Sequence, residues 1–119
     1  MKKILQVPLD TYNGRDVYMA ISVLPAPSNV QGSYDRHTDA SDWCVALAVA
    51  PKYQGSATEL VTVDTAHGYA HIDRYYTAAG GPSGANKLPV DWSLSEAENW
   101  VQGRYADLLK QYERNHGSP

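Results

Sequence analysis

This sequence has one cysteine, no phenylalanine, no surplus of basic residues and no apolar run long enough to span a bilayer. Each shortage excludes something. A lone Cys44 cannot form an internal disulfide, which favours a reducing compartment. There is no CxxC and no paired-His spacing of a zinc site. Cys44 lies in the apolar run Trp43-Cys44-Val45-Ala46-Leu47, so a buried, inert thiol is expected. Ten Lys and Arg against 13 Asp and Glu give a net charge of −3, which argues against a non-specific nucleic-acid coat. Met1-Lys2-Lys3 is charged, but Gln6, Pro8 and Asp10 break the run that follows, so no signal peptide is read. A soluble, cytoplasmic protein with no membrane contact is the expectation.

What is present suits one α+β domain over residues 1–119. Nine Tyr and three Trp supply aromatic surface with a polar handle. Lys3–Leu9 reads as a first strand, confined by Pro8 to an edge. Asn13-Gly14 is a hairpin turn signal. Asp16–Leu24 follows as a second strand, with Val17, Met19, Ile21 and Val23 on the core face. Trp43–Ala50 is nearly all apolar and reads as a central strand covered on both faces. Residues 25–42 form a long polar loop holding Tyr34, Asp35, Arg36 and His37, candidates for binding a ligand or partner. Residues 78–89 read as a Gly-rich linker without the Lys-Ser/Thr pair of a phosphate loop. Residues 93–115 form the one long helix. Capping-box spacing occurs at both Ser93/Glu96 and Ser95/Glu98, and Leu94, Ala97, Val101, Tyr105, Leu108 and Tyr112 make an apolar stripe. Gly103 in mid-helix suggests close helix–sheet approach. The expected architecture is a five-stranded, mainly antiparallel sheet over residues 3–77 with this helix on one face.

The stretch TELVTVDTAHGYAHIDRYYT, residues 58–77, organises the rest. It reads as two strands joined at His67-Gly68, with Gly68 supplying a positive φ. That turn sets Asp64 opposite His71, Val63 opposite Ile72 and Thr62 opposite Asp73. Alternation then gathers Thr62, Asp64, Tyr69, His71, Asp73 and Tyr75 on one face, with Val61, Val63, Thr65, Ala70, Ile72 and Arg74 on the other. A three-residue turn would change this division, because a one-residue slip inverts a strand. A carboxylate beside an imidazole raises the basicity of the ring and fixes its tautomer.

At Asp64-Thr-Ala-His-Gly-Tyr-Ala-His71 and Asp73-Arg74 the chain resembles small prokaryotic proteins with a DTAHG-type hairpin. It is also distantly similar to the TumE-type toxins of toxin–antitoxin systems, which have a polar, His-containing hairpin and a closing helix. The likeness covers about residues 58 to 112. It implies a compact α+β fold and a setting in a mobile-element or conflict system, prokaryotic or viral.

Two functions compete. The favoured one is an acidic macromolecule-binding module, an inhibitor-type protein that docks on a basic protein partner. Its contact residues are Tyr69, Asp73 and Tyr75 on the hairpin and Tyr34, Asp35, Arg36 and His37 on the loop, if the loop folds over the hairpin. The alternative is a metal-independent ribonuclease. In it His71 is the base, oriented by Asp64, His67 is the acid, and Arg74 or Arg36 steadies the phosphate. RNA is the substrate under that reading only. Asp64, His71 and Asp73 also have the chemistry of a Mn²⁺ or Zn²⁺ site, but ligands on adjacent strand positions are too common to assign one. No metal or cofactor is therefore expected. The oligomeric state is left open.

Overall fold

Antiparallel pairing follows chain order from one edge of the sheet to the other. The computed structural model describes residues 1–28, 33–66, 68–79 and 87–119. The strands are β1 (Lys2–Tyr12), β2 (Arg15–Leu24), β3 (Asp42–Val49), β4 (Thr58–Asp64), β5 (His71–Asp73) and β6 (Lys87–Pro89). A short helix, α1 (Arg36–Asp39), lies between β2 and β3, and the long helix α2 (Leu94–His116) closes the order. The β1–β2 turn is at Asn13-Gly14, where both residues have positive φ and Tyr12 pairs with Arg15, as the dipeptide predicts.

Among the described residues the sheet has six strands, not five. The extra one, β6, falls inside the stretch read as a linker over 78–89. Its register sets Lys87 against Asp73, Leu88 against Ile72 and Pro89 against His71. Three residues ending in proline carry no alternation pattern, so sequence periodicity misses such a strand. Residues 80–86 of that stretch lie outside the described residues.

Helix α2 packs against β3 and β4. The face it covers is built from Val17, Met19, Ile21 and Val23 of β2, Trp43, Val45, Leu47 and Val49 of β3, Val61 and Val63 of β4, and Ile72 of β5. Leu94, Ala97, Val101 and Leu108 of the helix complete this core. Burying a side chain such as Leu47 contributes on the order of 2 kcal/mol. The expectation that β3 is covered on both faces is corrected: its burial alternates from Asp42 to Leu47, and Cys44 and Ala46 are only partly buried on the far face. Alanines satisfied the apolar pattern there without needing a covering layer.

Alpha2 starts at Ser93, whose side chain accepts from the Glu96 backbone N–H while the Glu96 carboxylate accepts from the Ser93 N–H. Trp92, just outside the cap, packs on Trp100 with ring centroids 5.3 Å apart. The second candidate box, Ser95/Glu98, does not form, since Glu98 points to the loop instead. Gly103 is exposed, and a Cβ built on it meets nothing within 4 Å, so close packing does not account for it. Nothing in the structure explains that glycine.

Candidate functional site on the uncovered sheet face

The β4–β5 ladder has the register expected of it: Asp64 pairs with His71, Val63 with Ile72 and Thr62 with Asp73. The connection differs. Strand β4 ends at Asp64 and β5 begins at His71, so the ladder stops six residues short of closing and not at the two-residue turn expected. Thr65 leaves the hairpin because it is tied to the neighbouring strand: its hydroxyl donates to Asp42 and its N–H to the Trp43 carbonyl. Six intervening residues have the same parity as two, so the faces survive. Gly68 does hold a positive φ, of 84°. His67 lies outside the described residues.

Asp64, His71 and Asp73 therefore share the face that α2 leaves uncovered. His71 Nε2 stands 3.4 Å from Asp64 Oδ1 and 3.3 Å from Asp73 Oδ2. These are ion-pair separations, longer than direct hydrogen bonds. Although its sheet face is open, His71 is only 1% exposed. Tyr69 covers it edge-on, with centroids 5.9 Å apart. Lys87 reaches in from β6, with Nζ 2.9 Å from Asp73 Oδ1 and 3.3 Å from His71 Nε2. Its hydrogen bond to Asp73 holds the Lys87 ammonium above its ordinary pKa. Tyr75 is in the turn after β5, not in the strand, yet it still lies near this face: burial and the charges of Asp73 and Glu59 raise its phenol.

Three members of this surface escaped the sequence reading. Glu59 is one. Strict alternation would put it beneath the helix with Val61 and Val63. A bulge between Leu47 and Ala48 inserts Leu60 as an extra residue, so that Glu59 pairs with Ala48 on the open face. The protein around its carboxyl, and then Asp64 and Asp73, hold Glu59 above the usual carboxylate range. Cys44 is another: burial, with Asp64, Glu59 and Asp73 adding to it, pushes its thiol up to about 12. It stays protonated at neutral pH and is no nucleophile. Lys87 is the third, hidden with β6. Beside these groups a shallow groove of about 250 Å³ is lined by Lys3, Tyr18, Ala20, Ala46, Ala48, Ser56, Ala57 and Glu59.

The loop candidates lie elsewhere. Arg36 donates two hydrogen bonds to Glu98 of α2, at 2.8 and 3.1 Å, and His37 Nε2 is 2.9 Å from the same carboxylate. Burial alone would raise the Glu98 carboxyl, but the Arg36 and then the His37 hydrogen bonds outweigh it, and the net shift is downward. Asp35 caps α1 by accepting from the His37 N–H, and the Tyr34 hydroxyl donates to the Pro25 carbonyl. Tyr34, Asp35, Arg36 and His37 thus fasten the loop on the helix side. They do not fold over the hairpin. Arg74 follows β5; burial raises the Tyr76 phenol, and the charges of Arg74 and of Arg104 of α2 together oppose that rise.

A family described as a domain of unknown function (DUF7718) matches residues 31–118. The chain belongs to that family. The matched segment holds every residue of the Asp64–His71–Asp73–Lys87 cluster and of the Glu98 cluster, and it leaves out β1 and β2. The family's description carries no activity, and the likeness to TumE-type toxins gains no support from it. No curated protein and no solved structure matches the chain. Among the described residues no helix is long and apolar enough to cross a membrane.

Proposed function

We propose that this domain is a protein-binding module that offers the uncovered face of its sheet to a basic segment of a partner protein. The observation that supports this best is the gathering of Glu59, Asp64 and Asp73 beside a floor of Ala20, Ala46 and Ala48 on a face that no other element of the described chain covers. Small side chains let a partner backbone approach closely, and the carboxylates attract and orient cationic side chains. Tyr18, Tyr69 and Tyr75 frame the surface with amphipathic rings. An inhibitor-type role in a mobile-element or conflict system is the setting that the hairpin resemblance suggests.

The ribonuclease reading has less behind it. His71 is too enclosed to take a proton from a substrate, and Arg36, one of the two arginines considered for the phosphate, is engaged by Glu98 on the helix side. A general base must come within hydrogen-bond reach of its proton.

The test is affinity capture from the native host with the wild-type chain and with an Ala46→Arg variant shown by circular dichroism to be folded. A basic partner protein retained by the wild type and lost with Ala46→Arg is the expected result. Recovery of RNA without protein, or a partner held equally by both baits, would overturn the proposal.

A further inference from the structure

We infer that Asp64, His71 and Asp73 form a three-ligand site for a divalent transition-metal ion of the Zn²⁺ or Mn²⁺ type. Ligand atoms held about 2.1 Å from one ion stand about 3.0 to 3.4 Å apart across an octahedral or tetrahedral edge. His71 Nε2 lies 3.4 Å from Asp64 Oδ1 and 3.3 Å from Asp73 Oδ2, and one ligand atom from each residue falls within 4.8 Å of the other two. By contrast His37 Nε2 sits 2.9 Å from Glu98, at direct hydrogen-bond distance. The three groups on the open face converge on a shared point instead of bonding closely to one another.

Their supports fit this role. Asp64 and His71 are cross-strand partners and Asp73 is two residues further along β5, so the ligands ride on paired strands and not on loops. The Ala66 N–H donates to Asp64 Oδ1 at 3.0 Å, and the Thr62 hydroxyl lies 3.4 Å from Asp73 Oδ2. Such outer contacts orient ligating carboxylates. The position of Lys87 is the independent sign that this point favours positive charge. Its ammonium, arriving from a three-residue edge strand and about one-third exposed, occupies the mouth of the cluster. A bound dication displaces it. Two carboxylates and one imidazole suit Mn²⁺ and Zn²⁺, with Zn²⁺ the tighter of the two. This inference rests on the ligand geometry and the place of Lys87, not on the protein-binding reading, and it is tested without a partner.

The metal-stripped full chain is titrated with zinc chloride and manganese chloride by calorimetry, with thermal unfolding in parallel. Because His71 is enclosed in the sheet, the variants are Asp64→Asn, Asp73→Asn and Lys87→Ala. One equivalent of Zn²⁺ is expected, with a higher unfolding midpoint. Either Asp→Asn change should weaken binding at least about tenfold, and Lys87→Ala should tighten it by about tenfold. Failure of both folded wild type and folded Lys87→Ala to take up Zn²⁺ or Mn²⁺ stoichiometrically would overturn the site. So would binding that is indifferent to Asp64→Asn and Asp73→Asn.

Discussion

His37 and His71 each stand among acidic side chains, on opposite sides of one sheet, and the balance of charge around them is reversed. On the helix side a single buried carboxylate, Glu98, receives two donors, Arg36 and His37. On the open side Asp64 and Asp73, with Glu59 nearby, face one lysine and one enclosed imidazole. The first arrangement fulfils its electrostatic demand within the chain and closes the loop onto the helix. The second carries an excess of carboxylate over lysine. The same residue types thus make a fastening in one place and a receptive surface in the other, and the difference lies in how many carboxylates one permanent cation and one imidazole must serve.

Four substitutions would break, calibrate or sharpen this contrast. The largest effect is expected from Glu98→Ala. It strands the part-buried Arg36 and frees the loop, lowering unfolding free energy by about 2 kcal/mol after allowance for the partial exposure of both partners. Urea titration checks this, and proteolysis should begin within residues 33–41. Helix changes calibrate the scale. Ser93→Ala should cost about 1 kcal/mol by removing the cap, while Gly103→Ala should add up to about 1 kcal/mol, there being open space for its methyl group. The smallest effect is the diagnostic one. Glu59→Gln should stabilise by a few tenths of a kcal/mol, because it removes one of three crowded negative charges from a solvent-screened face. A loss of stability would mean that the open face is not acid-rich in the sense argued.

Acid titration separates the two regions further. The Glu98 carboxyl is depressed in the folded chain, so its contribution is complete above its unfolded value and disappears as pH falls through the folded one. Glu59 is raised, so folding takes up a proton there, and this relative gain is lost as pH rises through its folded value. The two groups thus tilt stability against pH in opposite senses, Glu98 acting below the ordinary glutamate range and Glu59 above it. A Glu98→Gln variant should therefore show a flatter acid limb in chemical denaturation, and Glu59→Gln a steeper one.

The hairpin register was legible because alternation specifies faces whatever the length of an even-numbered connection, and the helix because its cap and stripe coincide. Other features left no trace of the right kind. Beta6 is too short for periodicity and sits beside a Gly-rich tract. Glu59 reaches the open face only through a bulge, which alternation cannot foresee. The Arg36–Glu98 pair joins residues 62 apart, and the sequence offered Glu98 a more local use in a second capping box. What was missed at the candidate site was therefore its boundary and its counter-ion, not its centre.

The first and last strands also bear on how another molecule could approach. Beta1 carries Pro8 and two register shifts, and β6 is three residues long and ends in Pro89. Both rims of the sheet are poor templates for an added strand, since a proline offers no amide hydrogen and a kinked margin holds no continuous ladder. Recognition by lengthening the sheet sideways is thus discouraged at either end. A visiting chain is steered to lie across the strands, where side chains rather than backbone decide whether it stays.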